Sequence, residues 1–102
     1  MAVLINIIRH KEGTVVSICD GGLLGKVYKD EKCCLDLVRY KSFYEGKDSN
    51  EIERLKEALQ SASSINAVGD ESLELLKGHG FDVSGAKRIG KEKVAHIQIY
   101  RF

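Results

Sequence analysis

The start of the chain holds two β-branched runs, residues 3–8 and 14–19, on either side of Lys11-Glu12-Gly13. That pattern commits the opening segment to a β-hairpin, with Gly13 free to adopt the positive φ of a tight turn. The first run is almost unbroken in apolar residues, so it is expected to be covered on both faces. Asp20-Gly21-Gly22 ends the second run, and the latter half of residues 23–28 has the character of a short strand. Residues 33–40 alternate in part, Leu35, Leu37 and Arg39 against Cys34, Asp36 and Val38, as a half-exposed strand does. Phe43-Tyr44-Glu45-Gly46 reads as a loop that pins two aromatics on the core.

The middle of the chain changes period. Ile52, Leu55, Leu59 and Ala62 recur at spacings of three and four, which predicts a helix over about 50–62 with Lys56 and Glu57 facing water. Asn50 and Glu53 approximate a capping box. A short apolar stretch, residues 65–68, ends at Gly69. A second helix then begins at Asp70-Glu71-Ser72, with Leu73, Leu75 and Leu76 inward and Gly78 or Gly80 at its C-terminal cap. The chain closes on a hairpin: residues 86–89, the turn Gly90-Lys91-Glu92-Lys93, and residues 94–100. In its last strand Ala95, Ile97 and Ile99 alternate with His96, Gln98 and Tyr100. Strands, two helices, strands is the order of an α+β fold, a mostly antiparallel sheet with two helices packed on one face.

Length bounds this to one domain, residues 1–102. The apolar fraction of 43% is enough for a core without a metal or disulfide, so no cofactor is expected. No apolar stretch approaches the ~18 residues of a membrane span. The first nine residues lack the basic region of a secretory signal and read as a strand. Three cysteines, Cys19, Cys33 and Cys34, are an odd number with no C-x-x-C spacing, as expected for reduced thiols of the cytoplasm. A zinc site from Cys19, one of the adjacent pair and His96 is sterically conceivable but matches no standard finger, and no metal is expected.

Charge is unevenly placed. The net is +1, yet residues 45–76 carry three basic and eight acidic side chains, and residues 77–102 carry six basic and two acidic. A protein binding duplex nucleic acid by charge alone would be far more basic. The basic tail leaves room for a local contact with phosphate or RNA.

Several motifs carry candidate chemistry. Cys19 and Asp20 sit at a strand end near Lys26, where a thiolate nucleophile or metal ligand is one reading. A buried apolar cysteine beside an aspartate that accepts bonds from its own turn is the other. The segment from Gly21 to Gly25 and Lys26 fails the G-x-x-x-x-G-K-[ST] test at both ends, leaving at most a loose cradle for one phosphate or carboxylate. Asn66 and Gly69 precede the second helix, whose N-terminus attracts anions, although Asp70 and Glu71 already occupy it. There Asn66 reads either as an anion-orienting residue or as a turn-former, and Asp70 as the N-cap. His96, Gln98 and Tyr100 form a polar row on the last strand, with Lys87, Arg88, Lys91, Lys93 and Arg101 nearby.

Taken in order, Cys19-Asp20, Leu24-Gly25-Lys26, Phe43-Tyr44-x-Gly46, Asn66-x-Val68-Gly69 and His96-x-Gln98 resemble an archaeal family of uncharacterised proteins, domain of unknown function 424. The resemblance runs from about residue 3 to residue 99. The family often reads Pro-His-Ala-Gln where this chain has Ala95-His96-Ile97-Gln98, so His96 sits on an ordinary strand rather than at a kink. The resemblance implies an archaeal, cytoplasmic, single-domain protein with a link to translation or RNA handling.

Two function classes follow. The first is a non-catalytic binding module for RNA or a ribonucleoprotein, using the basic terminal hairpin with Tyr100 or His96 on a base. The second is a small enzyme or metal-dependent protein, which requires Cys19, Asp20, Lys26 and His96 to meet within hydrogen-bonding reach. A homodimer paired through an edge strand is a further expectation.

Overall fold

The computed structural model describes residues 3–31, 34–38 and 49–100. Two β-sheets and two α-helices make up these segments. In the larger sheet β1 (Val3–His10) and β2 (Gly13–Asp20) form the opening hairpin, turning at Lys11 and Glu12. A single 3-10 turn, Gly21–Leu23, leads to the two-stranded sheet of β3 (Val27–Lys29) and β4 (Cys34–Asp36). Helix α1 (Ser49–Ser61) follows, then β5 (Ser64–Val68), helix α2 (Asp70–Gly78), and the closing hairpin of β6 (Lys87–Ile89) and β7 (Val94–Tyr100). Strand order in the larger sheet is β1-β2-β5-β7-β6. The β2–β5 pair is parallel and the other three pairs are antiparallel, so the α+β reading with a mostly antiparallel sheet holds.

Alternation along the strands divides the sheet into two faces with different covers. Ile5, Val16, Ile18, Ile65, Ala67, Ala95 and Ile97 face the two helices and bury against Leu55, Ala58, Leu59, Ala62, Leu73 and Leu76. On the opposite face Cys19, Val68, Ile89 and Val94 pack beneath Tyr28, Leu35 and Leu37 of the small sheet. A buried leucine contributes roughly 1.5–3 kcal/mol by leaving water, so these two cores hold the layers together. Helix α2 ends in a Schellman arrangement: Phe81 N–H donates to Leu76 O, Gly80 N–H donates to Lys77 O, and Gly80 takes φ 89°.

Two expectations change. Strand β1 is not covered on both faces; it stands at the sheet edge, and among its described side chains only Ile5 is fully buried, with no described strand adjoining it beyond β2. The strand expected over 33–40 is the three-residue β4, after which Leu37 N–H turns back to Lys26 O at 2.9 Å. Its alternation survives, with Leu35 and Leu37 buried and Cys34 and Val38 exposed. Cys33, Arg39, Tyr40 and the Phe43-Tyr44-Glu45-Gly46 segment lie outside the described residues. Among the described residues no helix is long and apolar enough to cross a membrane.

Candidate functional site

Cys19 and Asp20 are adjacent on β2, so their side chains leave opposite faces of the sheet. Asp20 projects to the helix side and reaches the start of α2. Its Oδ1 accepts from Ser72 N–H at 2.8 Å and from Ser72 Oγ–H at 2.7 Å, and its Oδ2 accepts from Glu71 N–H at 3.2 Å. Asp20 therefore bonds a helix 50 residues away rather than its own turn. The negative carboxylate also complements the positive end of the helix dipole. The N-cap position itself is Gly69, not Asp70, and with no side chain it forms no cap bond. Gly69 stands at φ 105°, and a Cβ there would overlap the Asp20 carboxylate. Its lack of a side chain is what admits the aspartate.

The anion at this helix N-terminus is thus the protein's own. Asn66 neither forms a turn nor orients an anion at this helix; it lies in the middle of β5 and pairs in register with Gln98. On the other face Cys19 is fully buried, and burial together with the neighbouring Asp20 charge pushes its thiol up to about 12. A thiol so protonated is neither a nucleophile nor a ready ligand. Cys19, Val68 and His96 occupy one row across β2, β5 and β7, which separates Cys19 from His96 by two strand spacings, about 10 Å.

Lys26 is exposed in the loop before β3. The adjoining Gly25 N–H donates to Leu37 O at 3.1 Å, so this amide closes the small sheet and is not turned to a phosphate. The four residues of the enzyme reading do not meet. Asp20 is committed to α2 on one face and Val68 lies between Cys19 and His96 on the other. Among the described residues no three of His, Cys, Asp or Glu are grouped as metal ligands.

What the fold does bring together is the polar row on β7. His96, Gln98 and Tyr100 leave the face opposite the helices, and Lys87 lies beside His96 in the β6–β7 ladder. These four line an open groove of about 420 Å³, with Cys34 of the small sheet, Gly85 and Ile89 also on its walls. Tyr100 is 62% exposed, and its hydroxyl donates to Gln98 Oε1 at 3.3 Å. His96 is half-buried, its Nε2 3.1 Å from Asn66 Oδ1. Burial, then the Lys87 charge, hold its imidazole below the ordinary histidine range, so it is neutral at pH 7.

The basic residues of the hairpin are divided between the faces. Arg88 is paired with Ala95 on the helix side, where its Nη1 bonds Asp70 Oδ1 at 2.6 Å and Lys93 O at 3.3 Å. Arg88 therefore braces the start of α2 instead of joining Lys87. Lys91 and Lys93 are exposed in the turn, and Arg101 lies outside the described residues. The sequence named Ser72 only at the start of the second helix, and Cys34 only as one of the adjacent pair that a zinc site could draw on. The absence of any capping side chain at Gly69 is the signal that would have prompted a search for an outside cap such as Asp20.

A family model described as protein of unknown function (DUF424) matches residues 8–102. Among solved structures, that of an uncharacterized conserved protein from Methanopyrus kandleri superposes with a TM-score of 0.79 at 27% identity, over 98% of this chain and 91% of that one. No curated protein is similar to the chain.

Proposed function

The chain belongs to the DUF424 family of proteins of unknown function, and we propose that it is a non-catalytic binding module that holds single-stranded RNA in the β6–β7 groove. The observation that carries this reading is the sharing of one groove by Lys87, His96, Gln98 and Tyr100. An exposed aromatic ring offers a stacking surface for a base, primary amides and a neutral imidazole offer hydrogen bonds to base edges, and a lysine neutralises a phosphate. Unpaired RNA suits this set better than duplex, because a net charge of +1 gives little general attraction to a helix and Arg88 is engaged elsewhere. A volume of about 420 Å³ fits a nucleotide or two rather than a long track. The archaeal source of the structural neighbour favours an archaeal origin, and a role in RNA handling in the cytoplasm is part of this proposal. The separation of Cys19, Asp20 and His96, with Asp20 bonded to α2 and Val68 between the other two, favours binding over catalysis by those residues.

Fluorescence anisotropy with a labelled octauridylate tests the reading. Binding should weaken as salt rises, and Tyr100→Ala should lower affinity roughly 5- to 150-fold, the range for loss of one stacked base. Lys87→Glu should also weaken binding, while Arg88→Ala should leave it nearly unchanged. Wild-type protein that binds no RNA, or variants at Lys87 and Tyr100 that bind as wild type does, would exclude the groove as an RNA site. A homodimer paired through β1 is a separate reading favoured by its place at the sheet edge, and sedimentation at two concentrations decides it.

A further inference from the structure

The hydrogen-bonding atoms that the groove presents are set by the bonds its side chains already make. His96 Nε2 lies 3.1 Å from Asn66 Oδ1, and an amide oxygen only accepts. The ring proton of neutral His96 is therefore on Nε2, which leaves Nδ1 as a lone-pair acceptor. Gln98 Oε1 accepts the Tyr100 hydroxyl, which leaves the two amide hydrogens of Gln98 as donors. His96 and Gln98 are successive same-face residues of β7, about 7 Å apart along the strand, with Lys87 beside the first and Tyr100 beyond the second. One acceptor and one donor group thus lie side by side, between a cation and an aromatic ring.

Resting on the RNA reading above, we infer that the groove selects an unstacked base with an imide edge, uracil or guanine, over cytosine or adenine. The imide N–H of such a base donates to His96 Nδ1, and the adjacent carbonyl accepts from the Gln98 amide. Tyr100 stacks on the base and Lys87 takes a phosphate. Cytosine and adenine present the reverse edge, an unprotonated ring nitrogen beside an amino group. Their lone pair would face that of His96, and their amino hydrogens would face those of Gln98. Turning the Gln98 amide over to suit them would only reverse its bond with the Tyr100 hydroxyl, which can accept as well as donate, so the discrimination rests on the His96 acceptor. The acceptor on His96 opposes a lone pair on cytosine or adenine, so those bases forgo the bond that uracil and guanine make.

Competition against labelled octauridylate tests this on the wild-type protein. Unlabelled octauridylate should compete about tenfold better than octacytidylate, the discrimination of one good base-edge pair. It should also outcompete octauridylate methylated at N3, which keeps the base but removes the imide N–H. Uridine 5′-monophosphate, run alongside, separates a free nucleotide from RNA as the occupant. His96→Phe, which removes the acceptor, should bind uridylate and cytidylate alike, and a circular dichroism spectrum like the wild type's confirms that it is folded. Equal binding of the uridylate, cytidylate and methylated strands by wild type would overturn the base selection and leave the RNA reading standing. Binding of none of them would overturn both.

Discussion

The Asp20 carboxylate and Ser72 are bonded twice, Oδ1 accepting from Ser72 N–H at 2.8 Å and from its hydroxyl at 2.7 Å, both groups buried. This contact ties the end of β2 to the first turn of α2 across 52 residues of chain. It joins the parallel β2–β5 core pair to the helix that follows β5, where a local cap would have fastened the helix only to itself.

Removing the carboxylate leaves a buried hydroxyl and two helix N–H groups without their acceptor. Asp20→Ala should therefore destabilise the protein by roughly 2–4 kcal/mol, above an ordinary cap deletion because Ser72 is buried. Asp20→Asn keeps the shape and one acceptor oxygen and should cost less. Urea unfolding of the three proteins decides the order; an alanine variant within about 0.5 kcal/mol of wild type would show that the contact contributes little.

Gly69 makes room for that carboxylate. Gly69→Ala should be destabilising by about 2 kcal/mol or more, from both the φ of 105° and the overlap with Asp20. The two positions should couple: in an Asp20→Ala background the same change should cost at least ~1 kcal/mol less. Additive losses in the double-mutant cycle would mean that backbone conformation alone accounts for the glycine.

The cysteines should differ sharply in reactivity. Cys34 is exposed and Cys19 is fully buried with its thiol pushed up to about 12. Alkylation of the native protein at pH 8, mapped by mass spectrometry, should modify Cys34 quickly and Cys19 only at the rate of unfolding. The same shift has a consequence for stability. The folded state holds the proton that the unfolded chain releases above its ordinary value of 9.0, so the Cys19 contribution is complete below pH 9 and declines from there towards pH 12. Cys19→Ala should flatten that alkaline decline.

His96 acts at the other end of the scale. Burial and Lys87 hold its pKa below the ordinary 6.5, so the unfolded chain takes up a proton before the folded protein does. Its contribution to stability is present above pH 6.5 and is lost as pH falls through the lowered folded value. The urea midpoint should drop between pH 7.5 and pH 5.5, and His96→Gln should reduce the drop. A His96 resonance, assigned by its loss in His96→Gln, that titrates at 6.5 or above in the folded protein would contradict the environment described.

Much of the groove was legible in the sequence because its residues are neighbours along one strand. A period of two puts His96, Gln98 and Tyr100 on one face wherever that strand lies, and the turn at residues 90–93 brings Lys87 alongside. The same local rules separated Lys87 from Arg88, although the sequence alone had suggested one basic surface. The helix stripe through Leu55 and Leu59 was legible for a similar reason, the 3.6-residue period. Cys19 and Asp20 are the opposite case: their motif suggested a cluster with Lys26 and His96, and the register placed those four apart.

By itself, then, the sequence determined the order of the elements and the inward stripe of helix α1, since these follow from short-range periodicity and turn chemistry, whereas the cover of β1 and the length of β4 do not. It also determined that one strand would show a histidine, a glutamine and a tyrosine to the same side. Only the tertiary structure decided that β2 lies parallel to β5, that Asp20 caps α2, and that Asn66 Oδ1 meets His96 Nε2. Each of those depends on a pairing between segments some thirty or more residues apart, and such pairings are selected by the burial of whole faces together rather than by any local preference.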